Sequence, residues 1–148
     1  MAVKRLKRFG PGLTGLKPDA VTQQEDLAPG SLMPDERSCE EASRTVQNGD
    51  LTCGTWAASA HTCKSAPYPV DEFCYILEGV VYITTYEDKE VHIFKAGEAF
   101  WIDKGTVLEW KQLGVVRKYY VIHAEQEEDM QTLPHGSTFK QSSPISKL

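Results

Sequence analysis

From residue 71 to residue 122 the chain is cut every several residues by a short turn: EFCYILEG, VVYITTY, EDK, EVHIF, KAG, EAFWI, DKG, TVLEWKQ, LG and VVRKYYVI follow one another without a long interval. The segments between turns are too short for a long amphipathic helix. They are rich in Val, Ile, Tyr, Phe, Trp and Thr, the residues that suit a pleated, half-buried surface. A chain built this way is confined to an antiparallel, all-β sandwich or small barrel. Just upstream, EASRTVQ, NGD and LTCGTWAAS read as two more strands joined at Asn48-Gly49, the strongest short hairpin signal. At 148 residues the chain has room for one domain with one core.

The flanks have a different texture. Residues 1–40 carry FGPG, LKPD, LAPG and LMPD, which punctuate regular structure and read as an N-terminal arm. Residues 41–123 form the expected β domain. Residues 124–148 are polar with isolated apolar side chains, as in a tail without a core of its own. Sixteen basic against twenty-one acidic side chains give a formal net charge of -5, and only the short KRLKR is basic, so no nucleic-acid partner is expected. No apolar run is long enough to cross a bilayer, and the first residues lack the apolar segment of a secretory signal; no membrane partner and no export are expected. Cys39, Cys53, Cys63 and Cys74 make no CxxC pair and read as reduced thiols.

Two motifs carry a resemblance. In EFCYILEG a Glu is followed by six residues and a Gly (Glu72 and Gly79); in KAGEAFWIDKGTVLEW, Gly97 and Gly105 stand at the ends of a second motif, with Asp103 where a Pro is usual. Order and spacing resemble the cupin superfamily over about residues 48–122. GTW, YPVDEFCYILEG, AGEAFWIDKGTVLEW and VVRKYYVI look like its ureidoglycine aminohydrolase-like and ethanolamine-utilisation-like branch. The resemblance implies a single-domain double-stranded β-helix, a jelly-roll barrel. In metal-binding cupins two histidines before the Glu and one in the second motif join it around an ion. Here those places fall within Ser65, Ala66, Pro67 and Tyr68, and at Leu108, so no cofactor is expected. A divalent metal would have to be held by Glu72 with His61 and Cys63, an HxC pair outside the family register.

If that register holds, Glu72 points into the barrel with Cys74 and Ile76 on the same face, and Asp71 points to solvent. A carboxylate desolvated there has a raised pKa and suits proton exchange or the gripping of a ligand amine. The expected catalytic set is Glu72, with Tyr68 and Lys64 orienting the substrate. The expected ligand-binding wall is Trp56, Cys74, Leu108, Trp110, Lys118 and Tyr120, since either Arg117 or Lys118 must face inward. The bland alternative is that Glu72 accepts a hydrogen bond from Tyr68 and keeps the barrel mouth ordered, with the aromatics as core.

The function expected is binding of a small polar metabolite in the barrel, with a metal-independent hydrolase, lyase or isomerase reaction as the enzymatic version. The alternatives are a non-catalytic ligand sensor or dimeric interaction module, and a metalloenzyme with atypical ligands. A homodimer is expected, paired through an outer sheet with the long N-terminal arms exchanged. The final residues Ser146, Lys147 and Leu148 spell the peroxisomal address. In a eukaryote they predict an import-receptor partner and a peroxisomal or glycosomal matrix location, and otherwise a cytoplasmic one.

Overall fold

The computed structural model describes residues 6–10 and 15–126. Ten strands run through them: β1 (Lys17–Pro18), β2 (Glu36–Val46), β3 (Gly49–Ala58), β4 (His61–Pro67), β5 (Asp71–Glu78), β6 (Val80–Thr85), β7 (Val91–Lys95), β8 (Ala99–Ile102), β9 (Val107–Gln112) and β10 (Val116–Glu125). They pair antiparallel into a six-stranded sheet, β1-β2-β3-β10-β5-β8, facing a four-stranded sheet, β4-β9-β6-β7. This is the all-β, single-domain cupin fold.

Strand periodicity decides what goes inside. Along β5, Glu72, Cys74 and Ile76 are buried while Phe73 and Tyr75 face out; along β10, Val116, Lys118, Tyr120 and Ile122 are buried. The register places these in shared rows, with Ile122 opposite Glu72, Tyr120 opposite Cys74, and Lys118 opposite both Ile76 and Trp56. Ile83, Ile102, Leu108 and Trp110 complete the core. Each fully buried aliphatic side chain contributes about 1.5–3 kcal/mol. Two glycines are required by close approach. A Cβ at Gly54 would lie 2.7 Å from the Tyr120 hydroxyl, and one at Gly79, whose φ is +86°, would lie 2.1 Å from the Val115 carbonyl oxygen.

Several boundaries differ from the sequence reading. The six-stranded sheet starts at Glu36 rather than residue 41, and β1 extends it further into the segment read as an arm. The β2–β3 turn is centred on Gln47 and Asn48, with Gly49 already paired to Val46. HTCKSAP forms β4, an edge strand paired with β9. β10 runs on to Glu125; residues 127–148, including Ser146, Lys147 and Leu148, lie outside the described residues.

Residues 19–31 form a strap across one end of the barrel, with a 3-10 turn at Gln24–Asp26. Val21, Thr22 and Leu27 are buried. At one end the Asp19 N–H donates to the Glu36 carbonyl (3.0 Å) and Ser38 Oγ to Asp19 (2.6 Å). At the other, the Ala28 N–H donates to the Thr62 carbonyl (2.9 Å) and the Thr62 N–H to Ser31 Oγ (2.8 Å).

Candidate functional site

Beneath the strap lies a polar cluster inside an apolar core. Glu72 and Lys118 are both fully buried, on neighbouring strands of the six-stranded sheet. Lys118 Nζ is 3.3 and 3.4 Å from the two Glu72 carboxylate oxygens and 3.6 Å from Cys74 Sγ. It also sits 4.9 Å from the ring centre of Trp56 and 4.8 Å from that of Trp110. Both indole edges are tied elsewhere. Trp56 Nε1 donates to Glu36 Oε2 (3.1 Å) and Trp110 Nε1 to Gln112 Oε1 (3.0 Å), which fixes the rings with their faces toward the ammonium. Gln112 is held in turn, donating to the carbonyls of Ala58, Ser59 and Gly114.

Tyr68 closes the other side of the cluster, its hydroxyl donating to Glu72 Oε2 at 2.6 Å. Burial pushes the Glu72 pKa up from the ordinary carboxylate value, opposed by the Lys118 charge and the Tyr68 hydrogen bond. Burial, with the Glu72 charge, holds Tyr68 well above an ordinary phenol, and the same two causes raise the Cys74 thiol. Tyr68 also lines a small pocket of about 30 Å³ with Asp26, Cys63, Lys64, Ala66, Leu108 and Trp110. Glu72 and Lys118 do not reach that pocket; Tyr68 stands between them and it.

The structure thus brings Glu72, Tyr68, Trp56, Cys74, Trp110 and Lys118 together. Tyr120 is buried on the same inward face, and Leu108 lines the pocket beside Tyr68. Lys64 does not join the Glu72 cluster. Cys63 points inward, so Lys64 next to it points out, and an irregularity in the β4–β9 pairing between Cys63 and Ala66 resets the phase so that Tyr68 returns to the interior. Its exposed side chain stands at the pocket rim instead.

The trio Glu72, His61 and Cys63 does not converge. Among the described residues the one group of three donors whose ligand atoms lie within 4.8 Å of one another is Asp88, Glu90 and His92, on the surface. His61 packs edge-on to Trp56, hydrogen-bonds through Nδ1 to the Ser59 carbonyl (2.8 Å), and has its pKa lowered by burial. Burial pushes the Cys63 thiol up to about 12, which disfavours the thiolate a metal needs. At the family's ligand places Ala66 and Leu108 offer no donor, and Glu72 is already engaged by Lys118 and Tyr68. The donor set does not fit a divalent ion.

Sequence reasoning missed Glu36. It is buried, accepts from the Thr22 N–H (2.7 Å) as well as from Trp56, and has a pKa pushed up to about 7, chiefly by burial. It lies in a segment whose neighbours are charged and exposed, so nothing in the local pattern marks it as internal.

Residues 45–120, more than half of the chain, match the family model of the EutQ-like cupin domain. The chain is a EutQ-like cupin. No curated protein sequence matches it. Among solved structures this cupin is similar to a protein of unknown function from Pseudomonas syringae pv. tomato (23% identity, TM-score 0.67, covering 74% of this chain and 45% of that one). The chain therefore spans less than half of that relative's length. It is similar also to a putative ethanolamine utilization protein from Salmonella typhimurium (19% identity, TM-score 0.53, 72% of this chain and 80% of that one). A third is a polyketide cyclase from Streptomyces resistomycificus (17% identity, TM-score 0.57, 86% of this chain and 83% of that one). At these identities the likeness is one of fold.

Proposed function

We propose that this EutQ-like cupin binds a small polar metabolite at the barrel mouth and exchanges a proton with it through Tyr68, in a metal-independent hydrolase, lyase or isomerase reaction. The observation that carries the reading is Tyr68: it lines the pocket, and its hydroxyl donates a hydrogen bond to a buried carboxylate. Glu72 is then a positioning residue rather than the group that meets the substrate. As Tyr68 takes a proton from the substrate it passes its own to the Glu72 carboxylate, and in the return step Glu72 hands that proton back through Tyr68; Lys118 stabilises the carboxylate form. Lys64 and Asp26 at the rim offer one charge of each sign to the rest of the ligand. A pocket of about 30 Å³ admits one small group, so the strap must yield for anything larger. A hydrolysis of the ureidoglycine aminohydrolase-like kind lies within this class.

The test is a thermal-shift screen of small polar metabolites, followed by turnover assays on Tyr68→Phe. The variant is expected to bind the wild-type ligand within several-fold while losing on the order of 10²–10⁴ in turnover. Unchanged turnover would sink the proton role. A second reading is favoured by the full burial of Glu72 and Lys118: a ligand bound by the wild type without any turnover would make the protein a sensor.

A further inference from the structure

A larger cavity, about 220 Å³, opens where the two sheets meet at β7 and β8. Each of these strands is the edge of its own sheet, so no backbone ladder crosses the seam. Side chains close it: Phe94 and Phe100 stack across it with ring centres 4.2 Å apart. Opening the seam therefore breaks no interstrand hydrogen bond. Its floor is apolar, with Ile83, Phe94, Phe100, Ile102 and Leu108. It shares Leu108 alone with the pocket at Tyr68.

The rim is polar and acidic. Thr85, His92, Asp103 and Thr106 line it, beside the Trp101 ring. Trp101 Nε1 donates to Asp103 Oδ1 at 2.8 Å, which restrains that carboxylate at the rim. His92 leads to two more acids, with Asp88 Oδ2 3.5 Å away and a Glu90 oxygen in the same group. Lys104, beside Asp103 in sequence, turns away to Glu125 (3.1 Å); Lys89 is the basic residue of the β6–β7 turn.

We propose that this seam is a second ligand site, for an amphiphilic primary amine whose aryl or short alkyl part enters the cavity while its ammonium meets Asp103. Size fits the first half of that ligand, because an apolar cavity of about 150 Å³ already accepts a benzene ring. Charge fits the second half: the acidic rim attracts a cation, and the Trp101 ring adds a face for it. The rim carboxylate is exposed, so the attraction is modest and screened by salt.

The experiment is an amide NMR titration of the whole chain with 2-phenylethylamine and with 2-phenylethanol, its uncharged counterpart, at low and high salt. The expected result is saturable shifts at Thr85, His92, Phe100, Asp103 and Thr106. The amine should bind about threefold to fivefold tighter at low salt, and that preference should vanish at high salt and in Asp103→Asn. Equal binding of amine and alcohol at low salt would overturn the ligand class. Shifts centred on Lys64, Tyr68 and Trp110, or no saturation at tens of millimolar, would overturn the site.

Discussion

Lys118 is the residue on which the candidate site turns. A buried ammonium beside a buried carboxylate recovers its desolvation cost only with good partners, and here it has two carboxylate oxygens, two indole faces and a thiol within reach. Lys118→Met leaves Glu72 without its cation, so the acid must take up a proton to stay buried. The loss should be about 3–5 kcal/mol at pH 8 and should shrink toward pH 5, where protonating Glu72 costs little. The double variant Glu72→Gln with Lys118→Met should recover most of it. Urea denaturation at both pH values checks this; a double variant no more stable than the single one would show that the pair is needed for folding. Glu72 was legible as an inward residue through the family register, whereas for β10 the sequence said only that Arg117 or Lys118 faces inward, and the structure turns Lys118 in. The place of Lys64 was not legible, because the phase of β4 is reset by a pairing irregularity that no residue type announces.

At the scale of elements, the strap and β2 are joined through one titrating side chain. Glu36 accepts from Thr22 on the strap and from Trp56 on β3. It faces the charges of Asp19 and Lys118 and lies near enough to Cys63 to raise that thiol. Its folded pKa, about 7, lies above the ordinary carboxylate value of 4.5. The folded protein thus holds this proton more tightly than the unfolded chain does. The stabilisation is fully present below about pH 4.5 and is lost as pH rises through 7, with a ceiling of about 3 kcal/mol at 1.36 kcal/mol per unit. Removing the group with Glu36→Gln should abolish that part of the stability slope between pH 5 and 8. The amide would also set an N–H against one of the two donors and loosen the strap by about 1–3 kcal/mol at every pH. Hydrogen exchange at Thr22 and Ala28, with melting curves across the same range, would show both; a slope unchanged in the variant would assign it to other groups. The strands of residues 71–122 were legible because turn chemistry and period agree there. The strap and the first residues of β2 were not, because their order comes from long-range bonds to Thr62, Trp56 and Ser59 that local composition does not encode.

Among the described residues, one face of the six-stranded sheet turns a row of apolar side chains outward. Phe73 and Trp101 are paired in register on neighbouring strands, with Val121 beside Phe73 on the other side; Phe73 is 38% and Trp101 56% exposed. Tyr75 stacks on Tyr119, and Phe9 from the N-terminal segment packs edge-on against Tyr119 at 5.1 Å. Phe9 thus covers one end of the face at Tyr119. The uncovered part, Phe73 and Trp101, is contiguous, and contiguous exposed aromatics of this kind mark interaction surfaces. A second copy is the partner this predicts, by an isologous contact in which each chain offers the same rows. Light scattering at micromolar concentration should then give twice the 16.5 kDa chain mass. Phe73→Lys should return it to the single-chain value without lowering the melting temperature by more than a few degrees, because the side chain points away from the core. A wild-type mass of one chain would leave the face without this partner. A dimer unaffected by Phe73→Lys would move the contact to another surface, such as the exposed Val91 and Ile93 of β7.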